Sequence, residues 1–310
     1  MLDVRAGDVL LFRGNGFISK GIRFLDGSEV NHAAIALSGT ELAEAVGHGL
    51  DTAAIASTVE KNERTIVRRP IDCDSDLAVA VARRYLDSGT PYAYQQILLL
   101  AALCLTRRIP IRNRLFRRVL RRALDSAANL VNSLVDRGVD LMICSEYVYR
   151  CYGEAGCNLL PAGIPEAVAV GPGSAEDVVL LDWLDGAPQT PVAATPRSPS
   201  ADPSSIAEAA EYELENLLAA FFADSEGESV VPISAADEGA DVTDAEIAQA
   251  AVGFGSAAVR LDRLRHPEAV GLAPADALAF LRGMLSTDAD FVTPKDLLLT
   301  ARLQETSRTG

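Results

Sequence analysis

The stretch VNHAAIALSGTELAEAV, residues 30–46, predicts a β-hairpin at the centre of the fold. His32 opens a strand of small residues over 33–37, a Ser-Gly turn follows, and a second strand covers 41–46. Short apolar runs separated by such a turn are typical of two antiparallel strands. We therefore expect an antiparallel sheet with His32 at the start of one of its strands.

The length of the hairpin loop decides whether His32 and Glu44 can meet. A three-residue loop over 38–40 pairs Ala34 with Glu44, and His32 and Glu44 then point to the same face of the sheet. A two-residue loop places the two side chains on opposite faces. Both registers are compatible with the sequence.

Outward from the hairpin, apolar spacing and turn residues predict an α+β fold. The other predicted strands are 9–12 and a short strand flanked by Val67 and Ile71. The predicted helices are 17–25, 76–87, a helix holding the apolar run 97–105, 113–135, 141–152, 205–223, 244–252 and 274–285.

Composition divides the 310 residues into three parts. Residues 186–199 are rich in Pro, Ala, Ser and Thr, as linkers are. Residues 186–291 hold 18 acidic side chains against 5 arginines, a net charge of −13 out of −15 for the chain. We predict a catalytic domain over 1–185, a linker and acidic helical insertion over 186–290, and a return to the catalytic domain over 291–310.

The net charge, the residue counts and the length of the apolar runs argue against several classes of protein. A net charge of −15 disfavours nucleic acid as a partner. Three histidines and no CxxC pair among five cysteines leave little for a zinc site. The longest apolar run has nine residues, against about 20 for a membrane span. The first residues lead straight into a strand without a signal-peptide pattern, so we expect a cytoplasmic protein that needs no cofactor.

Cys144, in the segment ICSEYV, is the candidate nucleophile. It begins a predicted buried helix, and the positive end of a helix favours the reactive thiolate. A thiolate hydrolase also needs a base and a group that orients it. His32 is the best-placed base, with His48 and His266 as alternatives, and Glu44 is the candidate orienting residue. Cys73, Cys104, Cys151 and Cys157 are interpreted as structural.

Arginines are concentrated in one amphipathic segment beside the apolar helix. Eight arginines and no acid occur there: Arg107, Arg108, Arg112, Arg114, Arg117, Arg118, Arg121 and Arg122. Such a face suits either an anionic membrane surface or solvent. The last five form the candidate membrane or partner surface. Opposite charge also motivates the hypothesis that the acidic insertion docks on this segment and covers the cleft entrance.

The order of short motifs resembles the YiiX/YebB-like group of the permuted NlpC/P60 superfamily. The motifs are GDVLLF (7–12), VNHAAI (30–35), AEA (43–45), GTPYAY (89–94) and CSEYVY (144–149). A closing segment, VTPKDLL (292–298), looks like the one that ends this fold in relatives.

The resemblance implies a circularly permuted papain-like cysteine hydrolase. Cys144 is then the nucleophile, His32 the base and Glu44 the orienting residue. Further candidates for substrate or cleft contacts are Asp8, Tyr92, Ser145 and Glu146.

Three functions remain open from the sequence. The first is an amidase or peptidase that forms a thioester with a peptide or amide substrate. The second is a lipid-directed acyltransferase or phospholipase at an anionic membrane, which the arginine-rich helix favours. The third is a non-catalytic module that binds a peptide or partner in the cleft. The sequence does not indicate an oligomeric state.

Overall fold

A computed structural model describes residues 2–46, 49–88, 95–106, 113–138, 142–160, 180, 184, 203–225, 241–265 and 292–309. Several predicted features lie outside the described residues. They are His48, Tyr92, the arginines at 107, 108 and 112, the linker over 186–199, His266 and the predicted helix over 274–285.

The strands are β1 (Val9–Arg13), β2 (His32–Ala36), β3 (Glu41–Val46), β4 (Gly49–Ala54), β5 (Arg64–Pro70) and β6 (Leu303–Arg308). The helices are α1 (Phe17–Asp26), α2 (Ile55–Lys61), α3 (Ser75–Asp87), α4 (Gln95–Thr106), α5 (Arg114–Val135), α6 (Cys144–Glu154), α7 (Pro203–Ser225), α8 (Asp244–Arg265) and α9 (Pro294–Leu299).

Six strands form one antiparallel sheet in the order β4-β3-β2-β1-β5-β6. The predicted α+β class, with an antiparallel sheet packed on helices, is confirmed. The far end of the chain lies on this sheet, since Ser307 of β6 pairs with Val67 of β5. The strand predicted between Val67 and Ile71 begins earlier, at Arg64. Strands β4 and β6 and helix α2 were not predicted, because their polar and exposed residues lack a clear apolar alternation.

Helices α3, α6 and α9 pack with the sheet in one apolar cluster. Small strand residues such as Ala33, Ala43 and Ala45 are buried there beside Tyr147 and Tyr152 of α6. Both tyrosine hydroxyls donate to backbone carbonyls, so burial leaves neither polar group unsatisfied. The small side chains let α6 approach the hairpin closely.

Helices α1, α4, α5, α7 and α8 share a second apolar cluster. Helix α4 is almost wholly apolar and is buried from Ile97 to Leu105. Helix α8 was predicted to end at Val252, but it continues through Gly253 and Gly255 to Arg265. Each helical glycine costs about 1 kcal/mol relative to alanine. Burial of the flanking apolar residues against α5 offsets that cost. Among the described helices, none combines the length and hydropathy that crossing a bilayer requires.

Candidate active site

The hairpin brings His32 and Glu44 together. The loop has three residues, with Ala34 paired with Glu44 and Leu37 bonded to Glu41. Atom Nε2 of His32 lies 2.7 Å from Oε2 of Glu44. Their side chains are 16% and 12% exposed, so the contact is largely shielded from water. The register that allows the contact is therefore the one that the chain adopts.

Cys144 is the first residue of α6, and its side chain hydrogen-bonds with the His32 ring. Cys144 is 2% exposed, and its sulfur is not part of a disulfide. Since Nε2 is engaged by Glu44, Nδ1 is the ring nitrogen left for the sulfur. The imidazole therefore connects a thiol at a helix start with a carboxylate on the sheet.

The electrostatics of this contact favour a protonated ring. Burial by itself lowers the pKa of His32, because a buried cation loses its hydration. The negative charge and hydrogen bond of Cys144, followed by those of Glu44, outweigh burial and raise the pKa to about 10. The ring therefore carries a positive charge at neutral pH between the side chains of Cys144 and Glu44.

One curated relative is similar to half of this chain. No family model and no solved structure matches the chain. The probable lipoprotein peptidase YaeF of Escherichia coli (strain K12) is 28% identical over 158 residues, which is 50% of this chain and 57% of YaeF. The chain thus spans little more than half the length of this relative.

The backbone before His32 is held by a polar network that sequence reasoning missed. Asn31 is 2% exposed, and its side-chain oxygen accepts from Gly14 N at 2.8 Å and from Arg23. Its amide nitrogen donates to Ser19 at 3.0 Å. Asn31 directly precedes His32 in the sequence, and this adjacency is the signal from which its role could have been predicted. A buried amide with three partners fixes the start of β2 and hence the ring of His32.

Two candidate cleft residues, Ser145 and Glu146, hold helix α6 in place instead. Ser145 is fully buried and donates to the carbonyl of Val292, just before α9. Glu146 is 2% exposed and accepts from Ile143 N at 3.2 Å. Both side chains are buried and bonded within the protein, and their contact with substrate stays a prediction.

Asp8 is also a structural residue. Its side chain is 1% exposed, and its oxygens accept from Arg69 at 2.8 and 2.7 Å and from Arg5 N at 2.8 Å. Hydrogen bonding to Asp8 raises the pKa of the Arg69 guanidinium. The carboxylate therefore joins β5 to the residues before β1, and its contact with substrate stays a prediction.

The described arginines of α5 contact the acidic insertion. Arg114 pairs with Asp241, Arg117 with Asp244, Arg121 with Glu246 at 2.5 Å, and Arg122 with Glu213. Arg118 lies partly buried on the same helix. These pairs establish docking of the insertion on α5. Four of the five arginines of the predicted membrane surface pair with carboxylates of α7, α8 and the residues before α8, and the membrane contact itself stays a prediction.

The remaining cysteines lie apart from the His32 ring. Cys73 and Cys157 form a disulfide with their Cα atoms 5.5 Å apart. Cys104 and Cys151 are free and buried, and burial raises the pKa of both thiols. Among the described residues, no group of three or more His, Cys, Asp or Glu side chains is arranged to hold a metal.

Proposed function

We propose that this chain is a cysteine hydrolase of amide bonds, peptidase-like, on a circularly permuted papain-like fold of the NlpC/P60 type. The observation that carries the proposal is the His32 ring, which contacts the Cys144 sulfur and lies 2.7 Å from Glu44. In such an arrangement the thiol is the nucleophile, the imidazole is the general base, and the carboxylate orients the imidazole.

The chemistry assigned to these residues is acyl transfer. The Cys144 thiolate attacks an amide carbonyl, and the His32 imidazolium protonates the departing amine. Water, activated by the now neutral ring, then hydrolyses the thioester and restores the thiolate. Glu44 holds the ring orientation and stabilises its positive charge. The backbone N–H of Cys144, at the start of α6, is one donor for the oxyanion.

Two independent features support a peptidase-like reaction over the other candidates. The relative YaeF is named a probable lipoprotein peptidase. The arginines that favoured a lipid-directed enzyme are paired with the insertion. The permuted order also fits, because the histidine strand precedes the cysteine helix and β6 closes the sheet from the far end of the chain.

Site-resolved alkylation of Cys144 tests the proposal. Iodoacetamide labelling, followed by mass spectrometry at neutral pH, should be fast in the wild type and at least about tenfold slower in His32→Gln, which cannot stabilise the thiolate. Cys104 is the internal control, because its buried thiol should remain unlabelled in both proteins.

Turnover separates a hydrolase from a binding module. A panel of peptide amides and phospholipid vesicles should show Cys144-dependent hydrolysis of the peptides. Equal labelling of the wild type and His32→Gln, with no hydrolysis of any peptide, would contradict the proposal and favour a non-catalytic cleft.

A further inference from the structure

A buried ion pair joins the acidic insertion to the start of the cysteine helix. Glu146 lies two residues after Cys144 on α6. Its Oε1 is 2.7 Å from Arg150 and 3.4 Å from Arg265, the last residue of α8. Its Oε2 accepts from the backbone N of Ile143, immediately before Cys144. One carboxylate thus contacts both the residue preceding the nucleophile and the insertion.

Burial makes this pair sensitive to the loss of either partner. The side chains of Glu146 and Arg265 are only 3% and 7% exposed, whereas Arg150 is 25% exposed. Removing one member of a buried pair leaves a charge without compensation in a poorly solvated place. Arg265 is therefore better shielded from water than Arg150 in its contact with Glu146.

Helix α8 holds Arg265 at a defined position. At its start, Asp244 pairs with Arg117 of α5, and near its end Arg260 contacts Asn132 and, at 2.5 Å, Asp136. Between these points Phe254 is 1% exposed in the helical cluster. Contacts at both ends fix α8 on α5, so the position of Arg265 relative to α6 is set by the packing of the insertion.

We propose that Arg265 of the insertion is a positioning residue for the Cys144 helix and acts through Glu146. The proposal rests on the proposed function of Cys144. In this arrangement the insertion contributes to the site, because it supplies one of the cations, beside Arg150, that neutralise the carboxylate nearest to Cys144 in the sequence. The neutralised carboxylate then holds the Ile143 backbone without repelling the thiolate.

The other charged or titratable groups around the start of α6 come from several elements. His32 and Glu44 belong to the sheet, Asp296 to α9 and Arg150 to α6 itself. Helix α3 contributes Arg84 and Tyr85 at the opposite end of α6, where they contact Glu154. Asp296 is bound by Thr293. Within the part of the chain that the structure describes, Arg150 contributes a cation to Glu146 from α6 itself and Arg265 contributes one from the insertion.

The test is the pH dependence of Cys144 alkylation in the full chain. In Arg265→Gln we expect the labelling rate at pH 7 to fall about tenfold and the pH midpoint of labelling to move upward by about one unit, since the remaining carboxylate opposes a thiolate. Arg265→Lys should recover part of the rate. Arg265→Gln combined with Glu146→Gln should return the midpoint to its wild-type position, because the amide oxygen still accepts from Ile143 and the charge is gone.

Arg114→Gln is the matched control. It removes an ion pair between α5 and Asp241, which lies before α8, and Arg114 is 76% exposed, so its labelling profile should equal that of the wild type. An unchanged profile in Arg265→Gln, or equal slowing in Arg114→Gln, would overturn the positioning role. If Arg265→Gln alone does not fold, the double variant with Glu146→Gln is measured instead. Recovered folding and labelling support the coupling of Arg265 to Glu146, and failure of both contradicts it. Wild-type labelling that does not depend on His32 would instead overturn the proposed function itself.

Discussion

At the residue scale, His32 and Cys144 each stand at the first position of a regular element. Both side chains are nevertheless largely buried, Cys144 at 2% and His32 at 16% exposure. The neighbouring residues Asn31, Ser145 and Glu146 point into the protein and bond there. The short motifs around His32 and Cys144 therefore contain two kinds of residue. One is the candidate catalytic residue, and the neighbouring residue bonds to the rest of the protein and holds the backbone in place.

Glu44→Gln should lower the pKa of His32 from its value of about 10, because a neutral amide no longer stabilises the ring cation. Titration of the His32 ring by NMR measures the change.

The folded-state pKa of His32 lies above the unfolded value of 6.5, so the stability that protonation of the ring contributes is complete below pH 6.5. It is lost as the pH rises through about 10. That alkaline loss should begin at lower pH in Glu44→Gln. A ring that titrates identically in both proteins would contradict the role of Glu44.

Asp8→Asn should destabilise the protein without affecting labelling of Cys144. The variant leaves Arg69 without its charged partner at a position where Asp8 is 1% exposed, and we expect a cost of about 2 kcal/mol or more. Urea denaturation measures this cost. Slower labelling in a protein of unchanged stability would instead restore Asp8 as a contact of the site.

At the element scale, helix α8 shows tertiary packing overriding local preference. Gly253 and Gly255 predict a helix end, yet the helix continues for ten residues beyond Gly255. Phe254, Ala257 and Ala258 are buried in the helical cluster, and their burial exceeds the cost of two glycines. Without this continuation Arg265 would not reach Glu146.

Gly253→Ala should stabilise the protein by about 0.5–1 kcal/mol. An added Cβ meets nothing within 4 Å there, and alanine loses less entropy than glycine in a helix. Gly138→Ala is the control, because that position is equally open but has a φ of +70°. It should destabilise instead. Thermal unfolding of both variants separates the two effects, and a loss of stability in Gly253→Ala would contradict the described helix.

At the scale of the whole molecule, the acidic insertion completes a core that the first part of the chain leaves open. Helices α1, α4 and α5 come from before the cysteine motif, whereas α7 and α8 come from the insertion, and all five share one apolar cluster. Ile143 belongs to this cluster and Cys144 to the cluster beneath the sheet. Cys144 therefore lies at the junction of the two clusters.

Phe254→Ala should lower the free energy of unfolding by about 3–5 kcal/mol, since it opens a cavity in the helical cluster. The change should move a single unfolding transition, monitored by circular dichroism. Arg114→Ala is the comparison: this side chain is 76% exposed, and its surface ion pair should contribute less than about 1 kcal/mol. Separate transitions for the insertion and the sheet would contradict a shared core.

The sequence by itself determined the hairpin, the limits of helices such as α1, α3 and α5 to within one or two residues, and the candidate nucleophile and base. These depend on side-chain periodicity and turn chemistry, which act over a few neighbouring residues. Only the tertiary structure decided the hairpin register, the pairing of β6, the length of α8 and the burial of Asp8, Ser145 and Glu146. It also decided that the arginines of α5 neutralise the insertion. These outcomes depend on contacts between residues far apart in the chain, where burial and charge compensation outweigh local preference.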